Sequence, residues 1–260
     1  MKKILFLVMP VGLFFSCSSG SDEAASKPVV PEPPVQSKKI IAVKQDNRLV
    51  YTFTYNSDNK ISEIGNYSSN GSLFSTTKVE YTNGFESRRN TYNLQNKLYN
   101  YHTYTYSGKY ISERSIYSRE PSTGKEVLVQ RTYYTNDSGK PNYNLTGVQY
   151  YDNIGNLVSK SDITYMDAHG SSISTVYNAA GTKTEVSVWM RDNAIAWDKV
   201  LDPFVYQHEH NTLSVSSNNL LDGTATGYNI EYTYDSKNYP LTAKYSHSNG
   251  QTYTYSFTWE

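Results

Sequence analysis

Tyrosine alternates with threonine, serine or a charged residue along much of this chain, and that two-residue period decides what it can fold into. Tyr51, Phe53 and Tyr55 share one face of an extended strand, while Thr52 and Thr54 share the other. Tyr228, Ile230, Tyr232 and Tyr234 repeat the arrangement, and Tyr253, Tyr255, Phe257 and Trp259 alternate with Thr252, Thr254, Ser256 and Thr258. One aromatic face and one hydroxyl-rich face mark an antiparallel sheet that is packed on one side and wet on the other.

Between these stretches lie clusters of Asn, Asp, Ser and Gly: 56–59, 68–71, 82–84, 93–96, 106–108, 122–124, 136–139, 152–155, 167–170, 178–181, 235–238 and 248–250. Neighbouring clusters are mostly roughly 11 to 16 residues apart, which is hairpin spacing rather than the spacing of helical crossovers. Gly or Asn closes many of them because a tight reversal needs a residue that tolerates positive φ. The pattern predicts an all-β fold, an antiparallel β-meander of about a dozen strands, curled on itself or split into two layers because open twisted sheets rarely stay flat beyond about ten strands.

The 26 tyrosines point to a thin core, since each buried ring carries a hydroxyl that must reach water or a partner. One stretch breaks the alternation. From Asp192 to Leu201, Ala194, Trp197 and Leu201 recur at helical spacing ahead of Pro203, which predicts at most one short helix or an irregular loop.

The N-terminus predicts an address. Met1-Lys2-Lys3 precedes an apolar run from Ile4 to Phe15, with Ser16 before Cys17, the one cysteine in the chain. This is the layout of a secretory signal, and the run is too short to span a bilayer. The segment resembles a bacterial lipobox, with Phe14 where that pattern prefers leucine, and Asp22 and Glu23 resemble an export tag for the outer face of the outer membrane. The resemblance implies a signal peptide over residues 1–16, lipid on Cys17, and partnership with a membrane through that lipid. Residues 17–37, with Pro28, Pro31, Pro33 and Pro34, read as a proline-stiffened tether that reaches up to about 60 Å. Residues 38–260 are then the tyrosine-rich β domain.

Loss of Lys2 and Lys3 with the signal leaves 22 basic against 24 acidic side chains, a net charge of −2. Such a chain lacks the basic footprint that phosphate backbones require, so nucleic acid is excluded as a partner. With a single cysteine, no disulfide within the chain can help, and stability rests on packing.

Several turns resemble YD repeats, the tyrosine-rich hairpins of Rhs-type proteins. Tyr151-Asp152-Asn153-Ile154-Gly155-Asn156-Leu157 is the nearest, and Tyr234-Asp235-Ser236-Lys237-Asn238-Tyr239-Pro240, Tyr134-Thr135-Asn136-Asp137-Ser138-Gly139-Lys140 and Tyr55-Asn56-Ser57-Asp58-Asn59-Lys60-Ile61 are looser. Trp197-Asp198-Lys199, Asp202-Pro203-Phe204, Ser217-Asn218-Asn219 and Tyr232-Thr233-Tyr234-Asp235 with Tyr239-Pro240 resemble, in that order, the closing segment of a group of Bacteroidota lipoproteins of unknown function with Rhs-like repeats. Asp202 and Asn238 depart from the asparagine and glycine that the group favours. This resemblance implies an extracytoplasmic, lipid-anchored β domain, often described as sugar-binding, and brings no catalytic residues.

Constellations with chemical potential are sparse. His208-Glu209-His210 puts two imidazoles on one strand face, fewer than the three or four ligands of a zinc site. Asp192 with Asp198 is a carboxylate pair of the kind glycosidases use, although sequence does not fix their separation. Asp152, Asp167 and Asp235 lie in turns, where capping accounts for them better than calcium. No serine-nucleophile motif or nucleotide fingerprint is present. The expectation is therefore a protein that is not an enzyme and needs no cofactor or metal, with Trp189, Trp197, Tyr206 and Trp259 as candidate ligand-binding aromatics. The expected partner is a glycan or an envelope protein, and the alternative role is that of a structural or protein-interaction module with no small ligand.

Overall fold

A computed structural model describes residues 38–137, 145–167, 170–197 and 210–260. The expected signal and tether, with Cys17, lie outside the described residues. Sixteen strands follow one another: β1 (Ile40–Gln45), β2 (Arg48–Tyr55), β3 (Ile61–Tyr67), β4 (Leu73–Thr82), β5 (Phe85–Asn93), β6 (Leu98–Ser107), β7 (Tyr110–Arg119) and β8 (Glu126–Asn136). They continue with β9 (Leu145–Tyr151), β10 (Leu157–Tyr165), β11 (Ser172–Asn178), β12 (Lys183–Ile195), β13 (His210–Asn219), β14 (Ala225–Tyr234), β15 (Pro240–His247) and β16 (Thr252–Trp259). Each pairs antiparallel with its neighbours in sequence, and β1 pairs with β16, with Val43 opposite Phe257.

The sheet is thus a closed barrel of sixteen strands, which corrects the expectation of about a dozen strands curled or split into two layers. Every turn cluster read in the sequence falls at a strand connection, and three connections escaped that reading: Asp46-Asn47, 196–209 and 220–224. Closure leaves no unpaired edge, so no second layer is needed to cover one. Of the short helix or irregular loop expected over Asp192–Leu201, the described part holds no helix: Asp192–Ile195 complete β12, and 198–201 lie outside the described residues. The Asp192 carboxylate accepts from the amides of Ala194 and Asn211, binding the end of β12 to the start of β13.

The hairpins share one local device. Asn56 donates its amide to the Lys60 carbonyl and accepts at its side-chain oxygen from the amides of Asp58 and Lys60. Asn59, in the left-handed region at φ 60°, lets the chain turn back. Asn93 with Asn96, Asp152 with Gly155, Asn178 with Gly181 and Asp235 with Asn238 build the same turn. The carboxylates of Asp152 and Asp235 serve these turns, and that of Asp167 accepts from the Ser171 amide.

Residues opposite each other in register share a face of the barrel wall. Val43 faces Tyr51 and Phe257, Phe53 faces Ile64, and Ile230 faces Tyr245. On β1–β4 and β14–β16 the buried face is the one with Tyr51, Phe53, Tyr55, Ile230 and Phe257, with Val43 and Ala243 fully covered, and it turns inward. One apolar cluster joins β1–β4 to β14–β16 and includes Trp197, while a second lies on β6–β10 around Tyr104, Leu145 and Val148. Backbone hydrogen bonds between Lys39 and Glu260 place the first and last described residues at one end, here the entry end. The turns that follow odd-numbered strands lie at the opposite, far end.

Candidate ligand-binding site at the mouth of the barrel

The inner face of β13–β16 carries a run of rings toward the far end. Tyr228 lies opposite both Val215 and His247, and Tyr245 lies opposite Tyr253. Tyr245 and Tyr253 stack with centroids 4.9 Å apart, and Tyr228 lies 5.6 Å from Tyr245 and 5.5 Å from His247. His247 Nε2 is 3.0 Å from the Tyr253 hydroxyl. These rings are half-buried rather than sealed. Burial raises the Tyr253 pKa and pushes Tyr255 up to about 12, so both phenols keep their protons at neutral pH.

A hollow of about 260 Å³ opens beside these rings, lined by Val215, Ser217, Thr226, Tyr228, His247 and Asn249 among others. Ser217 and Ser187 hydrogen-bond at 2.6 Å, and Ser187 lies 2.6 Å from Glu185 Oε1, so hydroxyls and a carboxylate continue from the rings along the inner wall. Gly227 makes the junction possible, because a Cβ there would fall 2.4 Å from the Val215 carbonyl oxygen. On the outer side of this glycine a hollow of about 390 Å³ is lined largely by small polar residues, including Ser214, Ser216, Asn229 and Ser246. Ring faces beside neutral hydroxyl donors and acceptors suit a ligand with apolar ring faces and many hydroxyls.

The aromatics singled out from sequence fall in different places. Trp189 lies opposite Val215 in the row that continues to Tyr228 and His247, half-buried, with the Arg191 guanidinium 6.0 Å from its ring centroid. Trp197 is buried against Phe257 and Tyr255, at 4.8 and 5.7 Å. Trp259 donates Nε1–H to the Pro240 carbonyl at 2.7 Å and packs on Tyr239. Tyr206 lies outside the described residues, as do His208, Glu209 and Asp198. His210 opens β13. Asp192 is also hydrogen-bonded by the Tyr234 hydroxyl. Among the described residues no three His, Cys, Asp or Glu side chains gather as a metal site would require. The Tyr228, Tyr245, His247 and Tyr253 group was missed because its tyrosines carry the same alternation as the core rings. A histidine facing inward in that pattern was the available signal.

The outer wall differs in kind. Glu63 faces Lys78, Glu80 faces Arg88, and Glu231 faces Lys244, all on the outer surface and within strands. Arg131 and Glu113 pair at 3.1 Å on the same surface. Opposite charges facing across strands suit a wall in water. No helix among the described residues is long and apolar enough to cross a membrane.

The sequence matches no protein-family model and no curated protein. The fold is similar to that of solved structures that include two porin-like proteins. A porin-like protein from Bacteroides uniformis superposes with a TM-score of 0.55 at 14% identity, covering 86% of this chain and 95% of that one. A porin-like protein from Bacteroides vulgatus gives 0.51 at 11% identity, covering 84% and 97%.

Proposed function

We propose that this protein is a non-catalytic envelope lipoprotein, held by lipid on Cys17, whose barrel binds a glycan at its inner mouth. The observation that carries the binding reading is the half-buried ring group Tyr228, Tyr245, Tyr253 and His247 beside a hollow lined by hydroxyls. Trp189 extends this surface along the same row. Sugar rings offer apolar faces for such stacking and hydroxyls for the serines and threonines around it.

The likeness to porin-like proteins supports an outer-membrane address, and the signal-like N-terminus with its acidic Asp22 and Glu23 supports the outer face. The wall chemistry supports a barrel that stands beside the bilayer rather than in it. A spanning barrel presents an apolar band to lipid, and a lysine or arginine at the midplane of that band costs about 2–4 kcal/mol. The Asx-type turns after Tyr55, Tyr151 and Tyr234 are compatible with descent from YD-like hairpin repeats within the Bacteroidota.

The test is a glycan array probed with residues 38–260 of the chain. Binding to a defined class of polysaccharide is expected, and Tyr245→Ala or Tyr253→Ala weakens it by about tenfold, the worth of one stacked ring. A blank array across host and microbial polysaccharides refutes the reading.

A further inference from the structure

The far end of the barrel carries a collar that the glycan site does not use. On its outer surface Tyr67 faces Leu73, Tyr92 faces Leu98, Tyr117 faces Leu128 and Tyr151 faces Leu157. After each of these leucines the register skips one residue, and three of the four extra side chains, Phe74, Val129 and Val158, are about half exposed. Beyond the collar three of the far-end turns carry exposed apolar tips, Ile154 at 77%, Leu221 at 68% and Leu94 at 64%, while 46–47, 68–72, 120–125 and 248–251 at the same end are polar. At the entry end Ser57-Asp58-Asn59, Asn83-Gly84, Gly108-Lys109 and Ser236-Lys237-Asn238 are polar, and the exposed apolar side chains there, Met166 at 45%, Leu241 at 43% and Phe85 at 39%, are fewer and less exposed than the far-end tips.

We infer that the far-end rim docks on a lipid bilayer, with its apolar tips among the headgroups and its tyrosine–leucine collar at the interface. Three observations select this occupant. Along the axis the outer surface passes from charged pairs, through amphipathic Tyr–Leu pairs, to apolar tips, and tyrosine is the residue that settles where one end is apolar and the other wet. The collar spans β3–β10, and Leu220 and Leu221 extend the apolar tips to the β13–β14 turn, so a broad surface engages what a compact protein partner would meet only in one sector. Rim charges balance, with Arg48, Lys97, Arg119, Lys125 and Lys183 against Asp46, Glu120, Glu126, Asp152 and Asp222, so the attraction is apolar and needs no anionic lipid. The charged pairs behind the collar limit the depth of entry. The glycan mouth opens at this same end, so a barrel docked through the rim turns its mouth toward the headgroups, and rim docking and capture of a free glycan exclude one another.

Because the sheet closes within residues 38–260, that fragment is a complete barrel. It is expected to sediment with phosphatidylcholine vesicles, equally at low salt and at about 0.5 M salt, where charge attraction is screened. The triple variant Phe74→Ser, Ile154→Ser and Leu221→Ser, with unchanged circular dichroism, loses at least about tenfold in partitioning. The entry-end pair Met166→Ser and Leu241→Ser, and the mouth variants Tyr245→Ala and Tyr253→Ala, leave partitioning unchanged. Failure of the wild-type barrel to sediment, or equal loss in the entry-end pair, overturns the inference. A wild-type dimer that ignores vesicles, dispersed by the rim triple, overturns it in favour of a second copy.

Discussion

The two faces of β16 are separated by a single residue step and face opposite environments. Tyr253, Tyr255, Phe257 and Trp259 point inward, where Phe257 meets Val43 and Trp197, while Thr254, Ser256 and Thr258 look outward beside Lys44 and Lys244. A membrane-spanning barrel reverses this order, with its apolar residues outside and its polar residues in the lumen. The contrast teaches that a shared barrel topology does not fix which solvent the wall was built for. The alternation in the sequence already distributes the residues, and closure decides which set is inside.

The largest effect expected from this contrast is all or none. The barrel fragment is expected to remain soluble without detergent and to produce no conductance steps in a planar bilayer, because seating Lys78 and Arg88 in hydrocarbon would cost about 2–4 kcal/mol each near the midplane, with Glu63 and Glu80 adding smaller penalties. A stable conductance characteristic of a sixteen-stranded pore would break the comparison. The next effect separates the two faces directly. Phe257→Ala, which empties a site in the larger apolar cluster, is expected to cost about 3–5 kcal/mol in denaturant unfolding. Thr254→Ala, three residues away on the exposed face, is expected to cost about 0.5 kcal/mol or less. Similar costs at the two sites would mean that the wall has no inner and outer side energetically.

Much of the local structure was legible because its causes are local. Asn56, Asn93, Asp152 and Asp235 announce turns through side-chain oxygens that reach amides two and four residues on, Asn178 through one that reaches the amide four residues on, and Asn59, Gly155 and Asn238 supply the positive φ those turns need. Closure was not legible, since β1 and β16 lie at opposite ends of the described domain and nothing in either strand marks the other as its partner. The Asp192 region misled for a related reason: its carboxylate does cap amides, but one of them belongs to Asn211, across a long connection. The candidate site was only half visible. Alternation assigns Tyr228, Tyr245 and Tyr253 to the aromatic face, yet it carries no information on height along the barrel, which separates rings in the mouth from rings such as Phe257 that are sealed in the core.

The smallest effect tests the exposed electrostatics against the inner packing. Lys38 Nζ lies 2.6 Å from an Asp235 carboxylate oxygen at the entry end, and this ammonium, followed by the amide of Tyr239, holds the Asp235 pKa down at about 2. An aspartate in an unfolded chain titrates near 3.9. The folded state therefore binds its proton less readily, and the stabilisation is present above about pH 4 and is lost as the pH falls toward 2. Asp235→Asn isolates the charge, because asparagine makes the same turn hydrogen bonds at positions 56, 93 and 178. The variant is expected to melt slightly below the wild type at pH 7, by much less than Phe257→Ala, and to lose less stability between pH 4 and 2. Since the pair is partly exposed, salt narrows the difference at neutral pH. Melting curves that run parallel for variant and wild type through that acid window would show that the ion pair adds nothing to a barrel held by its inner face.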